Sequence, residues 1–338
     1  MKALVIEALE TCGVRDVAEV APGEGELLLE VRHVALCGSD FSTFKGLNPL
    51  VTLPRIPGHE IGAEIAAVGP NVPAEYALGR RVIVVPYTAC GKCTSCRRGR
   101  FNACRHNATL GVQREGALTE RIVVPHGKVI LNDRLAPRHL ALVEPLSVGF
   151  HAAARGRVTA EDTVLVLGCG MIGLGVVAGA AHRGARVIAV DVSETKLEAA
   201  RRWGAVETID ASRDDVAKRV SELTCDDGVD VAIEAVGTPA TFTLAIDVVA
   251  YSGRVVYVGY CKEPVAYATR FFNLKELDIM GSRGATVADF EAVVAFLEAR
   301  ATPPDDLITR VFPFAEADQA LPWWVAERDR VVKIMIER

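Results

Sequence analysis

The chain is short of the features that mark several broad classes of protein. It has no strong excess of charge: 38 Lys and Arg stand against 43 Asp and Glu, a net charge of −5. That balance gives no electrostatic reason to expect a nucleic-acid partner. No internal repeat or low-complexity tract interrupts it, which excludes solenoid and disordered classes. Residues 1–7, MKALVIE, read as a short strand and lack the basic region, long apolar core and small-residue cleavage site of a secretory signal. Only residues 163–181 are free of charge over a length that raises the membrane question. Closely spaced glycines there, within a strand-then-helix pattern, argue for a buried nucleotide-binding unit. The expectation is a cytoplasmic protein with no membrane partner, whose thiols are reduced.

What the chain does have is a cysteine tetrad. Cys90, Cys93, Cys96 and Cys104 stand in the spacing C-x2-C-x2-C-x7-C. Four thiolates this close together can close a tetrahedral Zn²⁺ site with no open position, so the metal would be structural. It would fasten a lobe, residues 88–106, that has few apolar residues of its own. A pair of disulfides is the alternative and needs an oxidising compartment. The arginines around the tetrad read as a solvated face.

A length of 338 residues suggests about two domains on a prior of roughly 150 residues each. The first third is β-rich, with strands at residues 27–34 and 81–85 punctuated by Gly and Pro. From residue 163 apolar strands alternate with helical segments: strands at 164–167, 187–191, 207–210, 229–233, 254–258 and 277–280. That alternation predicts a doubly wound parallel sheet. The tail reads as a helix, a break at Pro303-Pro304, a second helix and a strand at 331–336.

Gly168-Cys169-Gly170-Met171-Ile172-Gly173 is a G-x-G-x-x-G that follows an apolar strand and opens a helix. Such a turn lets the backbone approach a pyrophosphate at a helix N-terminus. Asp191 at the end of the next strand would accept from the adenosine ribose hydroxyls and repel a 2′-phosphate, which favours NAD over NADP. Cys169 packs as a small residue, and Arg201 and Arg202 are read as solvated.

Candidates for a second metal are Cys37, His59, Glu60 and Glu144, and their spacing alone cannot make them converge. The motifs around them carry a resemblance. Cys37-Gly38-Ser39-Asp40, Gly58-His59-Glu60, the cysteine lobe, Glu144-Pro145-Leu146 and the glycine turn, in that order, resemble the zinc-dependent medium-chain alcohol dehydrogenase family along essentially the whole chain. The resemblance implies a GroES-like catalytic domain (1–140 and 290–338) and a Rossmann domain (141–289). It also implies one catalytic and one structural Zn²⁺ per chain, the catalytic one in the cleft between the domains. Cys37 and His59 match the first two ligands, and Glu60 matches a neighbouring glutamate that binds directly or exchanges with water. Glu144 stands at the third position, where Glu-Pro-Leu is similar to the polyol and threonine dehydrogenases. Ser39 matches the hydroxyl that passes the substrate proton towards solvent. Asp40 is expected to hold a ligand or turn in place. Val236, Val258, Gly259 and Arg283 are further cofactor-contact candidates.

Two positions depart from the family pattern. The glycine after Gly-His-Glu lies one place early, at Gly62. Ser42 stands where many members carry a relay histidine, so the relay here ends in water or in a water that Ser42 orients. Val85-Pro86-Tyr87 and residues 275–286 are similar to the L-galactonate and L-idonate oxidoreductases and starvation-sensing proteins. The implied reaction is NAD-linked interconversion of a secondary alcohol, a polyol or sugar acid, and its ketone. Arg283 could hold a sugar-acid carboxylate, the cofactor or the fold, and Phe44 reads as a pocket wall or, the commoner role, a buried aromatic. The competing readings are an L-threonine or simple secondary-alcohol dehydrogenase and a non-catalytic NAD-binding sensor. A homodimer or homotetramer is implied, with the strand at 277–280 pairing between copies; Trp323 and Trp324 read as core or contact residues.

Overall fold

The computed structural model describes residues 1–338. The chain divides into two compact units, Met1–Glu144 with Leu297–Arg338, and Pro145–Phe296.

The first unit is built on a seven-stranded sheet that gathers strands from both ends of the chain. Its spine is Glu26–Leu36, eleven residues long, whose side chains Leu27, Leu29, Val31, Val34 and Leu36 are buried. Glu60–Val68, Arg121–Pro125 and the C-terminal Lys333–Glu337 all pair with it antiparallel. Arg81–Val84 continues the sheet beside Glu60–Val68, and Val129–Leu131 follows. Ile308–Pro313 forms the other edge, parallel to Lys333–Glu337. The sequence pattern gave no sign of this strand, because it is short and half-solvated, with only Phe312 buried. A separate hairpin, Lys2–Ala8 with Thr11–Asp16, buries Leu4 and Ile6 in the same core. Each fully buried Leu or Ile contributes on the order of 1.5–3 kcal/mol. Phe44 is 2% exposed within this core, so it is a packing residue rather than a pocket wall.

In the second unit six parallel strands run in the spatial order Glu207–Asp210, Arg186–Asp191, Thr163–Leu167, Val229–Glu234, Val249–Tyr257, Asp278–Gly281. The first three run backwards and the last three forwards through the sequence, so the order reverses between Thr163–Leu167 and Val229–Glu234. Ligands of open α/β sheets bind beyond the carboxyl ends of the strands at such a point. The central strands are continuous apolar runs, as burial on both faces requires. No helix is long and apolar enough to cross a membrane. The charge-free stretch is instead the strand Thr163–Leu167, the glycine turn and most of the helix Met171–His182.

Candidate active site and metal centres

The tetrad closes as its spacing predicts. Cys90, Cys93, Cys96 and Cys104 place their sulfurs within 4.8 Å of one another. Cys93 Sγ lies 3.5 Å from Cys96 Sγ and 3.9 Å from Cys104 Sγ. A zinc with Zn–S bonds of about 2.3 Å sets tetrahedral S···S edges of roughly 3.8 Å, whereas a disulfide needs about 2.05 Å. All nine cysteines are free thiols. Backbone amides of Cys90, Cys93 and His106 donate to tetrad sulfurs, which favours thiolates. The donor set fits zinc and excludes the disulfide alternative.

The second cluster comes from three strand and helix ends. Cys37 is the N-cap of the helix Gly38–Phe44, and Asp40 closes a capping box by accepting from the Cys37 amide at 2.9 Å. The other Asp40 oxygen accepts from Gly58 N at 3.3 Å and stands 3.9 Å from His59 Nδ1. One buried carboxylate thus ties the Cys37 turn to the His59 turn. Ser39 is inside the helix rather than at its cap, and its hydroxyl is buried without a hydrogen-bond partner. Gly62 packs where a Cβ would lie 2.4 Å from the Pro137 carbonyl, so the early glycine answers a local close approach.

Cys37, His59 and Glu60 offer ligand atoms within 4.8 Å of one another, and His59 Nδ1 is buried and unpartnered. Burial works against a charged imidazole at His59, but Cys37 and Asp40 outweigh it and hold its pKa well above 6.5. Surroundings that draw positive charge onto a buried ring suit a divalent cation. Glu144 lies outside that ligand set; Tyr87 donates its phenol hydrogen to the Glu144 carboxylate. Burial and then Glu144 push the Tyr87 pKa well above 10, which keeps the phenol a neutral donor.

Sequence reasoning did not anticipate Lys333. Its ammonium, 3% exposed, touches both oxygens of the fully buried Glu60 at 2.8 and 2.7 Å and donates to the Leu36 carbonyl. Burial opposes the ammonium, yet Glu60 and Cys37 outweigh it and raise its pKa. Glu60 is pushed up to about 7 by burial, offset in part by Lys333. The only available signal was a lysine at an inward position of an otherwise apolar strand, KIMIE.

In the second unit the glycine turn is fixed by its own packing. A Cβ on Gly173 would lie 1.7 Å from Gly168 O, and Gly168 has φ +93°. Gly170 differs: nothing lies within 4 Å of a Cβ built there. Protein packing does not demand a glycine at Gly170, whereas close approach of a phosphate would. Asp191 Oδ2 accepts from Cys169 N at 2.7 Å and Oδ1 from Ser193 N at 3.0 Å. Each oxygen retains a lone pair for a ribose hydroxyl. Val236 is 48% exposed beyond Val229–Glu234, and Val258 and Gly259 donate their amides to Glu234 O. Met171 is buried and Ile172 half-buried in the first helical turn, and Arg283 is exposed after Asp278–Gly281. These residues collect at the carboxyl ends of the strands, as a dinucleotide site requires.

Two family models match: an alcohol dehydrogenase GroES-like domain over residues 23–134 and a zinc-binding dehydrogenase domain over residues 172–299. The L-galactonate-5-dehydrogenase of Escherichia coli K12 is 32% identical over 294 residues, covering 87% of this chain and 86% of that protein. The chain belongs to the zinc-dependent medium-chain alcohol dehydrogenase family, in its polyol branch. A sorbitol dehydrogenase of Bacillus subtilis 168 in the same family is also 32% identical, over 97% of this chain and 93% of its own. Among solved structures, the rspB alcohol dehydrogenase of Escherichia coli CFT073 complexed with NADH superposes with a TM-score of 0.93. It is 29% identical and covers 100% of this chain and 99% of its own. A zinc-binding dehydrogenase of Sinorhizobium meliloti 1021 bound to NADP gives 0.91 at 29% identity, with the same coverage. The chain is therefore a zinc-containing alcohol or polyol dehydrogenase that uses a nicotinamide cofactor and acts on a small molecule.

Proposed function

We propose that this dehydrogenase interconverts a secondary alcohol of a polyol or sugar acid and its ketone, with NAD in preference to NADP. The observation that carries the chemistry is the gathering of ligand atoms of Cys37, His59 and Glu60 within 4.8 Å of one another, with a buried, unpaired Ser39 hydroxyl two residues from Cys37. When bound, zinc supplies Lewis acidity that makes a carbinol proton labile, and the nicotinamide ring accepts hydride. Cys37 and His59 hold the metal. Glu144 is assigned the third place, because Lys333 already neutralises both oxygens of Glu60, whereas the Tyr87 phenol that donates to Glu144 is neutral. Ser39 accepts the substrate proton at its hydroxyl oxygen and passes its own towards water, with no histidine at Ser42 to extend the relay. Asp40 keeps the two ligand turns in register.

The Asp191 carboxylate supports NAD, since a 2′-phosphate beside it would bring two anions together. Sugar-acid or polyol substrates are supported by the relatives' activities and by an anionic glutamate ligand, which suits vicinal hydroxyls. Exposed Arg283 is assigned to a carboxylate of such a substrate. The exposed edge strand Asp278–Gly281 offers a pairing surface for a second copy, and nine free thiols suit a reducing cytoplasm. The test is turnover of the zinc-loaded protein on aldonates, polyols, L-threonine and 2-propanol with each cofactor. NAD-linked oxidation of an aldonate or polyol is expected. Turnover confined to NADP would overturn the role of Asp191, and full zinc and activity in Glu144→Ala would remove Glu144 from the ligand set.

A further inference from the structure

The distribution of charge in this chain has one anomaly. Between Glu75 and Glu115 there is no Asp or Glu at all, in a protein that carries 43 of them. The two arginines at the start of that run, Arg80 and Arg81, reach Asp133 outside it. The cations of the cysteine lobe do not reach any acid. Lys92, Arg97, Arg98, Arg100 and Arg105, with His106, line a single cavity of about 660 Å³, and its wall contains no carboxylate. None of the five permanent cations enters an ion pair. Elsewhere arginines of this chain do so repeatedly: Arg15 with Glu7, Arg32 with Glu64, Arg55 with Glu115, Arg254 with Asp162.

A tetrathiolate zinc carries a charge of −2, so neutralising it accounts for two of the five cations and leaves a surplus of about +3. All five are exposed, yet they border one open concavity rather than separate faces of the lobe. One of them is also preset. Arg97 donates to the Lys92 carbonyl and lies 3.4 Å from Thr94 Oγ1, which holds its guanidinium against the wall. The cavity is too large for one phosphate group, and its lining has no Phe, Tyr or Trp on which a base could stack.

We propose that this cavity is a binding site for a small oligophosphate, a linear di- or triphosphate group recognised by bidentate guanidinium contacts. It shares no residue with the Cys37–His59 cluster or the glycine turn. Its ligand would tie the two ends of the lobe together and so act on lobe stability rather than on turnover.

The experiment is calorimetric titration of the zinc-loaded full chain with inorganic tripolyphosphate, ATP and orthophosphate, at low and at physiological salt. One saturable site per chain is expected for tripolyphosphate, with ATP no tighter and orthophosphate much weaker. Affinity should fall with added salt and by at least about tenfold in Arg98→Glu/Arg100→Glu. Should charge reversal strip the lobe zinc, Arg98→Gln/Arg100→Gln, checked for full zinc content, gives the same reading. Equal affinity in wild type and variant would place the anion elsewhere, for instance at the glycine turn, and overturn the proposal. Absence of saturable binding overturns it too, as does single-stranded oligouridylate binding the lobe more tightly than tripolyphosphate. None of these readouts depends on which substrate or nicotinamide cofactor the enzyme prefers.

Discussion

In the parallel-sheet unit the contact that anchors the glycine turn joins residues 22 apart, Cys169 and Asp191. In the antiparallel unit the contact that neutralises Glu60 joins residues 273 apart. A strand–turn–helix–strand segment brings its own functional groups together, and the apolar strands on either side need no help to bury them. The antiparallel unit instead gathers Cys37, His59, Glu60, Glu144 and Lys333 from strand and helix ends scattered along the chain. It also keeps a lobe that has little core. Its buried members Cys96, Asn102 and Cys104 include two of the tetrad cysteines. Local sequence builds one site; long-range closure and metal build the other.

If that contrast is right, zinc removal should affect the two units unequally. Chelation, or Cys96→Ser, should release the lobe zinc and open residues 88–106 to trypsin, with the arginines Arg97–Arg100 as cleavage sites, while the parallel-sheet unit stays resistant. Structural zinc is worth on the order of 10–16 kcal/mol of apparent binding free energy, so this is the largest effect expected. Metal analysis and limited proteolysis check it. Equal susceptibility of both units would break the comparison.

Lys333→Met should come next. It leaves a buried carboxylate without its counter-charge, at a cost of about 3–5 kcal/mol in urea unfolding. Adding Glu60→Gln should return most of that loss, because the pair rather than the lysine stem is at stake.

On the other side of the comparison, Asp191→Ala removes acceptors for Cys169 N, Ser193 N and the ribose. An increase in KM for NAD of about ten- to hundredfold is expected, at about 1–3 kcal/mol for a charged hydrogen-bond acceptor, with a smaller change in kcat. A variant that loses thermal stability yet binds NAD normally would reverse that assignment.

The smallest effect concerns acid. Burial works against the Asp289 charge, but His151 and Thr286 outweigh it and lower its pKa below 3.8. A carboxyl whose folded pKa is depressed contributes stability above its unfolded pKa and loses it as pH falls through the folded one. Asp289→Asn should therefore cost about 1 kcal/mol at neutral pH, a difference that shrinks as pH falls through the ordinary carboxylate range and is gone below the folded pKa. Urea titrations across that range read the flattening.

How much could be read beforehand follows the same division. The strands read at residues 207–210 and 229–233, the glycine turn and the position of Asp191 beside it were legible because periodicity and turn chemistry act within about thirty residues. The tetrad was legible for the same reason, its ligands lying within one short loop. Cys37, His59 and Glu144 could be named only by resemblance, since nothing local makes them meet. Lys333 was missed altogether: a lysine in a strand reads as solvated until the residue opposite it is known. Tyr87 and Asp40 are similar cases, side chains whose work appears only once a distant partner, Glu144 or Gly58, is beside them. The strand Ile308–Pro313 escaped notice because a half-exposed edge strand carries little apolar pattern.

The pairing of Lys333 with Glu60 also sets an order of assembly. During synthesis, residues 37, 59, 60 and 144 leave the ribosome long before residue 333 is made. Until then the nascent catalytic unit carries an uncompensated carboxylate at its centre and lacks the strand that covers it. All residues of the parallel-sheet unit, Pro145–Phe296, are made in that interval. Completion of the Glu60–Lys333 pair is thereby deferred until the chain around residue 333 has been made.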